Sequence, residues 1–417
     1  MKDPRNLPTN PSRRRLLQGG AAALGSTLLP GLLPHFAYGA TGGAPEKTEV
    51  KIGFIPLTDC TPVVVAAVKG FDKKYGIRII PSKEASWAAV RDKLLNGEND
   101  ASHILYGLVY GVQMGVGGPK RDMAISMCLN QNGQAITLSN KLKEKGVTDG
   151  ALLKALVAKG GDYTFAQTFP TGTHAMWLYY WLAANGIHPF EDVKTVVIPP
   201  PQMVANMRVG NMDGFCVGEP WNARAIFDRI GFTATTTQEI WTDHPEKVLG
   251  MTAEWVNKYP NTARAMTAAV LEAAKWADAA ENRAEVARIV ADKSYVNTDV
   301  VVIEGRLKSE YDNGIGKKWK DAHAMRFYND GLATFPWLSD GMWFMTQHKR
   351  WGLLKEDPDY LAIAQKVNRI DIYKDAAAMV GGISVPKELL RKSTLMDGVV
   401  WDGGDPKTYA GSFKVHA

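Results

Sequence analysis

The sequence predicts an α/β protein with two lobes, and three observations support this fold class. The chain has 417 residues, which is long for one domain at the usual ~150 residues per domain. From residue 50 onward, short apolar runs typical of strands alternate with helical segments, which favours mostly parallel sheets covered by helices. A Gly-x-x-Asp sequence recurs after a helix and before a strand, at Gly97 and Asp100 and at Gly210 and Asp213. This repetition predicts that one α/β plan is used twice.

The individual elements follow from this alternation. Each predicted strand is a short apolar or β-branched run, and each predicted helix has apolar residues at helical spacing. After about residue 249 the chain is predicted to be strongly helical. The predicted strands cover residues 50–55, 77–80, 100–105, 135–138, 163–168, 195–198 and 214–217, and the main predicted helices cover residues 87–95, 174–185, 262–278 and 283–292.

The order of these elements also predicts the division into lobes. A polar, Gly-containing stretch at residues 143–150 separates the first α/β group from the second. We therefore expect lobe I to contain residues 41–145 and 250–417, and lobe II to contain residues 146–249. The helical tail is assigned to lobe I because no long Gly/Ser linker separates it from the rest of the chain.

Residues 1–40 have the pattern of an export signal. Arg13, Arg14 and Arg15 precede an apolar run at residues 19–33, and small residues follow around residues 37–40. The apolar run is too short for a bilayer span, which needs ~20 apolar residues. The paired arginine predicts twin-arginine export in the folded state and a soluble protein in a bacterial periplasm, without stable membrane insertion. A disordered basic tail is the alternative.

The charge and the cysteines exclude other classes of protein. Five basic residues and one acidic residue of the leader account for four of the six positive charges in the chain's net +6, and no basic run suggests a nucleic-acid partner. Three cysteines are an odd number for a disulfide framework, so we expect buried free thiols. These cysteines are Cys60, Cys128 and Cys216.

Motifs for catalysis, metal binding or cofactor binding are absent from the sequence. It contains no Gly-x-Ser-x-Gly elbow, His-Glu-x-x-His, phosphate loop or Cys-x-x-Cys. The glycine-rich run at residues 115–119 lacks the third glycine of a dinucleotide fingerprint, and the histidines lack metal-ligand spacing. We therefore expect no enzyme activity, no metal and no cofactor.

Strand-to-helix junctions are the candidate binding sites, because ligands of open α/β sheets lie outside the carboxyl ends of strands. Residues 168–174 combine Gly172, two threonines and His174 at a helix start, which favours a small anion. Residues 217–221 form a second junction, in which Gly218 can offer its amide. Residues 130–134 form a third polar cluster, before a strand. Ordinary helix capping explains the first junction equally well, and a simple turn explains the third.

Three single residues have a structural interpretation when taken alone. Trp87 begins an amphipathic helix, where a tryptophan usually belongs to the core. Lys247 follows a polar segment, where a lysine is usually solvated. His103 lies in an apolar strand and is predicted to be a core histidine.

At these junctions the sequence resembles the periplasmic nitrate- and bicarbonate-binding proteins of ABC transporters, over nearly the whole chain after the leader. The resemblance implies a periplasmic-binding-protein fold of type II, a C-shaped clamp of two α/β lobes with the ligand in the cleft. It also implies that the tail returns to lobe I. Five segments in order carry it: PLTD at residues 56–59, KEASWA at 83–88, NGQAIT at 132–137, TFPTGTH at 168–174 and FCVGEPWN at 215–222.

The resemblance also implies which residues hold the ligand. The anion-binding residues of the nitrate branch correspond here to Trp87, Gln134, His174, Gly218 and Lys247. The bicarbonate branch is similar elsewhere but has a glutamate at the position of Lys247 and uses a metal ion. Nitrate has only hydrogen-bond acceptors, so it needs donors and a positive charge. With Lys247 and no added carboxylate expected nearby, nitrate, with nitrite as a smaller companion, is the predicted ligand.

The predicted function is therefore capture of nitrate and its delivery to an ABC transporter permease and ATPase. Many relatives carry a lipid anchor on a cysteine near the leader, which this chain lacks, so it is expected to diffuse freely. A bicarbonate- or sulfonate-binding protein of the same fold is the main alternative. A nitrate sensor and a thiamine-precursor enzyme of similar architecture are disfavoured by the export leader.

Overall fold

The computed structural model describes residues 43–417 of the chain, and the predicted export signal at residues 1–40 lies outside these residues. The described part contains two five-stranded sheets and two short hairpins. The strands are β1 (Glu49–Phe54), β2 (Arg78–Lys83), β3 (Ala101–Leu105), β4 (Met123–Cys128), β5 (Gln134–Ser139), β6 (Thr164–Gln167), β7 (Lys194–Val197), β8 (Gly214–Gly218), β9 (Gly231–Thr236), β10 (Lys247–Thr252), β11 (Glu310–Asp312), β12 (Lys318–Lys320), β13 (Ser393–Thr394) and β14 (Val400–Trp401).

Helices cover the sheets and make up most of the chain after β10. They are α1 (Thr61–Val68), α2 (Phe71–Lys74), α3 (Trp87–Leu95), α4 (Tyr106–Met114), α5 (Asn140–Glu144), α6 (Gly150–Val157), α7 (Thr173–Ala184), α8 (Met203–Arg208), α9 (Trp221–Phe227), α10 (Thr237–Ile240), α11 (Ala253–Lys258), α12 (Pro260–Asp278), α13 (Arg283–Ala291), α14 (Val300–Leu307), α15 (Leu338–Arg350), α16 (Tyr360–Val367), α17 (Ile370–Val380) and α18 (Pro406–Gly411).

The two sheets have the same topology, which confirms the predicted α/β fold of two lobes. The strand order is β2-β1-β3-β10-β4 in the first sheet and β7-β6-β8-β5-β9 in the second. In each sheet four strands point in the same direction, and the fourth strand of the order is antiparallel to both of its neighbours. That reversed strand, β10 or β5, is the one that the chain enters after crossing from the other sheet. Each lobe is therefore completed by a strand that arrives from the other one.

The Gly-x-x-Asp repeat occupies equivalent places in the two sheets. Gly97 and Gly210 have positive φ angles of 75° and 81°, which glycine adopts without steric cost. Asp100 Oδ2 accepts a hydrogen bond from the backbone N–H of Lys51 at 2.9 Å. Asp213 Oδ2 accepts the equivalent bond from Thr164 at 2.9 Å. In each lobe this aspartate fixes the start of the first strand beside the central strand, β3 or β8.

The predicted lobe boundaries require correction. Strand β5 was assigned to lobe I by the boundary after residue 145, but it lies in the second sheet. Strand β10 begins before the boundary at residue 249, but it lies in the first sheet between β3 and β4. The chain crosses between the sheets at residues 129–133 and 237–246. The prediction missed β4, β9 and β10, because their neighbours in the sheets are distant in sequence.

The helical tail contacts both lobes and not lobe I alone. Helices α12, α13 and α17 share a hydrophobic core with the first sheet and α1. Helix α15 instead contributes Trp343, whose ring stacks on Trp177 of α7 with centroids 4.9 Å apart. Farther along, Asp397 accepts a hydrogen bond from Tyr180 of α7 at 2.8 Å. The later part of the tail therefore packs against lobe II as well as lobe I, since Phe344 of α15 lies 5.3 Å, centroid to centroid, from Tyr106 of α4.

Two further sequence expectations concern the cysteines and membrane spans. Cys60, Cys128 and Cys216 are buried free thiols, as predicted. Within residues 43–417, every helix is either too short or too polar to cross a bilayer.

The bond between Asp213 and Thr164 provides a test of the duplicated plan. Asp213→Ala removes the acceptor of a backbone N–H and should lower the free energy of unfolding by about 1–2 kcal/mol. Asp213→Asn keeps an oxygen acceptor and should lose less than about half of that. Urea denaturation followed by circular dichroism measures both variants. Wild-type stability for Asp213→Ala would contradict this role.

Candidate functional site

Lys247 lies at the start of β10, where its side chain is buried with 0% exposure. Its Nζ donates to Asp59 Oδ2 at 2.8 Å and also to the carboxylate of Glu246. The same Nζ lies 5.4 Å from the ring centroid of Trp87, close enough for a cation–π contact. The structure thus excludes a solvated lysine. The expectation that no carboxylate lies near Lys247 is wrong, because two of them contact it.

Asp59 lies in a short turn, Thr58–Cys60, that precedes α1. Its Oδ1 is 2.7 Å from Nε2 of His103, which is buried as predicted. Burial by itself would raise the pKa of Asp59, but Lys247 and His103 outweigh burial and hold that pKa well below its usual range. Burial lowers the pKa of His103, so the imidazole is neutral and Nε2–H donates to a charged Asp59.

Glu246 is the second carboxyl group at Lys247, and it is also 0% exposed. One oxygen contacts Lys247, and the other accepts a hydrogen bond from the hydroxyl of Thr173. Burial raises the pKa of Glu246, and Asp59 raises it further, against the opposite effect of Lys247. The resulting pKa is about 8, so Glu246 is largely a neutral carboxylic acid at neutral pH.

His174 lies in the first turn of α7, the helix that begins at the first predicted junction. Burial, and then the nearby Lys247 charge, hold the pKa of His174 well below its ordinary value, so the ring is neutral. Its Nδ1 is 2.6 Å from the hydroxyl oxygen of Thr168. A Thr168 hydroxyl that donates to Nδ1 leaves the hydrogen on Nε2, which has no hydrogen-bond partner in the described structure. His174 therefore offers a buried donor.

Gln134 and Gly218 lie opposite each other on strands β5 and β8. Both polar atoms of the Gln134 side chain are buried without a partner among the described residues. At Gly218, a Cβ would lie 3.2 Å from Asp59 Oδ2 and 3.3 Å from the side chain of Leu57. A side chain at this position would crowd Asp59 and Leu57, so Gly218 lets the end of β8 lie close to the Asp59 turn.

Trp87 is the first residue of α3, and the helix start is fixed by Ser86, whose side chain accepts from the Ala89 N–H at 3.2 Å. The Trp87 ring lies 5.7 Å from the His103 ring. Its indole Nε1 is buried and has no partner in the described part of the chain. Trp87 is thus a buried residue, as its local sequence suggests, but its indole N–H has no acceptor among the described residues.

The five residues implied by the resemblance lie in one network of contacts. Lys247 connects to Trp87 through the cation–π contact, to Gly218 through Asp59, and to His174 through Glu246, whose Oε1 is 3.6 Å from His174 Nε2. Gln134 joins the network through its pairing with Gly218. Three of these residues, Trp87, Gln134 and His174, have buried polar atoms without partners among the described residues, which costs free energy unless a ligand or water supplies a partner.

Both lobes contribute to the site, and hydrogen bonds join the lobes beside it. The backbone N–H of Thr58 donates to the carbonyl of Glu219 at 2.7 Å. The indole N–H of Trp221 donates to the carbonyl of Pro56 at 3.0 Å. Arg306 contacts the Glu219 side chain at 3.1 Å, which anchors the second junction to the tail. The first-lobe turn and the Gly218 junction are therefore hydrogen-bonded directly to each other beside the site.

Three residues of the site were not predicted as functional: Asp59, His103 and Glu246; Thr173 was one of the two threonines at the first predicted junction. Asp59 and Thr173 lie inside segments that carry the resemblance, and Glu246 immediately precedes Lys247, so each had a signal in its position. No signal in the sequence predicted the contacts of these residues, because Asp59 and Lys247 are distant in sequence and meet only in the folded chain. Among residues 43–417, no group of three or more His, Cys, Asp or Glu side chains is arranged to hold a metal ion.

Comparisons with known proteins agree with this fold. The model of the NMT1-like family matches residues 43–291. A nitrate/nitrite binding protein, NrtA, from Nostoc sp. strain PCC 7120 is 40% identical, over 98% of this chain and 99% of that protein. A bicarbonate-binding protein, CmpA, from Synechococcus elongatus is 31% identical, over 89% of this chain and 87% of that protein.

A solved structure shows the same architecture. The crystal structure of the periplasmic nitrate-binding protein NrtA from Synechocystis PCC 6803 superposes with a TM-score of 0.86 and 40% identity. The match covers 89% of this chain and 100% of that one, so the two-lobed binding-protein fold extends over nearly all the described residues. The chain therefore belongs to the NMT1-like family.

Proposed function

We propose that this protein is a periplasmic solute-binding protein that captures nitrate, and also nitrite, and delivers it to an ABC transporter permease and ATPase. The observation that carries the proposal is that Trp87, Gln134 and His174, which belong to the network around the buried Lys247, all have buried donors without partners among the described residues. The proposed ligand contacts are the Trp87 indole, the Gln134 amide, the His174 imidazole, the Gly218 backbone and the Lys247 ammonium.

The chemistry of this donor set favours a planar anion without a hydrogen of its own. Trp87 Nε1, Gln134 Nε2 and His174 Nε2 are donors without partners among the described residues. The Lys247 ammonium adds a full positive charge in a site from which water is excluded, where charge-assisted hydrogen bonds are strong. Nitrate offers three acceptor oxygens and needs no acceptor from the protein.

The two carboxyl groups at Lys247 keep bicarbonate as a second candidate, because bicarbonate carries an O–H that an acceptor would bind. Asp59, however, is already engaged by Lys247 and His103. Glu246 has a pKa of about 8, so at neutral pH it is mainly uncharged and a weaker acceptor. The greater identity to the nitrate/nitrite binding protein than to the bicarbonate-binding protein also supports nitrate.

The location and the transport role are supported by the leader and by the relatives. The paired arginines and the apolar run in the first 40 residues match a twin-arginine export signal. The Synechocystis relative is described as a periplasmic protein. A binding protein of this fold without a catalytic motif suits a carrier better than an enzyme, which makes the thiamine-precursor enzyme the least supported alternative.

Calorimetric titration of the purified protein tests the ligand assignment. Nitrate is expected to bind more tightly than bicarbonate, because bicarbonate leaves its own donor without a strong acceptor. The titrations are run with calcium and with a chelator. Equal affinities, a reversed order, or bicarbonate binding that requires calcium would contradict nitrate as the ligand.

The Lys247 charge is tested by Lys247→Glu, with Lys247→Gln as a milder change. Loss of the ammonium should weaken nitrate binding at least tenfold, or about 1.4 kcal/mol. Lys407→Glu makes the same change of charge on the exposed face of α18 and should leave the affinity unchanged. Wild-type affinity in folded Lys247→Gln would remove Lys247 from the site.

Substitution of Gln134 distinguishes a role of this residue in ligand binding from a role in stability. Gln134→Met should weaken nitrate binding at least fivefold but should not lower the melting temperature of the ligand-free protein, because it removes buried polar atoms without partners. Gln238→Met is the matched control, since Gln238 Nε2 donates to Asp321 at 2.9 Å. The control should lose stability and keep its affinity. The opposite pattern would contradict the proposal.

A further inference from the structure

The charges buried around Lys247 do not balance once a nitrate ion is added. Lys247 and Asp59 are a cation and an anion in contact, and both are 0% exposed. A charged Glu246 would make this cluster net negative before any ligand enters. Nitrate would then bring a second excess negative charge into a site without solvent, which is strongly unfavourable.

The other titratable groups that face Glu246 do not supply the missing positive charge. His174 on α7 and His103 on β3 have pKa values lowered by burial, and both rings are neutral. His244, in the segment before β10, is also held neutral by burial, with a pKa of about 3. Cys216 on β8 is a neutral thiol, because burial raises its pKa well above the ordinary value. Only the carboxyl group of Glu246 is left to change charge.

The position of Glu246 also makes it a competitor of the ligand. Its two oxygens occupy the Lys247 ammonium and the Thr173 hydroxyl, and Oε1 lies 3.6 Å from His174 Nε2. An ionised carboxylate is a planar anion like nitrate and would hold the same two donors, Lys247 and His174. A protonated carboxyl group accepts more weakly and leaves these donors free for the ligand.

We propose that the site binds nitrate together with one proton, and that the Glu246 carboxyl group holds this proton. The inference rests on the proposed function, since it takes nitrate as the ligand. The proton comes from solvent and converts carboxylate to carboxylic acid, and no bond within nitrate changes. Glu246 is thus a further determinant of anion affinity.

The direction of the pH dependence follows from linkage. Burial and Asp59 raise the pKa of Glu246 to about 8 without ligand, and a bound anion raises it further. Below that pH, Glu246 carries its proton with and without nitrate, so the affinity is constant. Above it, binding must take up a proton, and the affinity falls by up to about tenfold per pH unit.

Calorimetric titration with nitrate at constant ionic strength tests this inference. Between pH of about 6.5 and about 9.5, the wild-type dissociation constant should rise at least tenfold. Glu246→Gln mimics the protonated acid, so the dissociation constant of this variant should change less than about threefold over the same pH range. Glu84→Gln, at a buried glutamate bonded to Asn99 and Lys93, should keep the full wild-type dependence.

A second measurement keeps the test decisive if Glu246→Gln does not fold. Wild-type protein is titrated at pH of about 8.5 in buffers of different ionisation enthalpy, and the uptake should be at least about half a proton per nitrate. A wild-type affinity independent of pH, no proton uptake, or a Glu246→Gln variant that follows the wild-type curve would overturn the inference. Absence of nitrate binding at pH of about 6.5 would instead contradict the proposed function.

Discussion

The structure of the site depends on one ammonium group that is buried between two lobes. Lys247 has no contact with solvent, so its charge must be compensated within the protein, and the Asp59 carboxylate does this, while the largely neutral Glu246 accepts a second hydrogen bond from the ammonium. The residues around these two carboxyl groups hold them in place by hydrogen bonds. His103 supports Asp59, Thr173 supports Glu246, and neutral imidazoles avoid further charge. The buried donors of Trp87, Gln134 and His174 have no partner among the described residues, and we propose that nitrate supplies one.

The duplicated fold explains how these groups reach one place. Each lobe uses the same strand order, and each receives one reversed strand from a chain crossing. Strand β10 brings Lys247 into the first sheet, and β5 brings Gln134 into the second. Both strands begin where the chain leaves a crossing segment, so the site lies between the lobes. The tail, through α15, packs against α4 of the first lobe and α7 of the second.

Local signals were sufficient for part of this structure. The helix Trp87–Leu95 was predicted at its observed bounds, because a Ser86 cap and an Asn-Gly stop are adjacent in sequence. The Gly-x-x-Asp repeat likewise identified equivalent strands. Strand β10 and the carboxylates at Lys247 were not predicted, because they depend on pairing and contacts between distant segments. The proposed ligand residues came from the resemblance, since the local sequence around Trp87 and Lys247 is typical of a core tryptophan and a solvated lysine.

A crystal structure of the protein grown with nitrate tests the central claim most directly. The account predicts a planar density between the lobes, with oxygens about 3 Å from Lys247 Nζ, Gln134 Nε2 and His174 Nε2. These contacts would give partners to the buried donors that have none in the protein itself. Nitrate bound elsewhere, or Lys247 held only by Asp59 and Glu246 at saturating nitrate, would contradict the account.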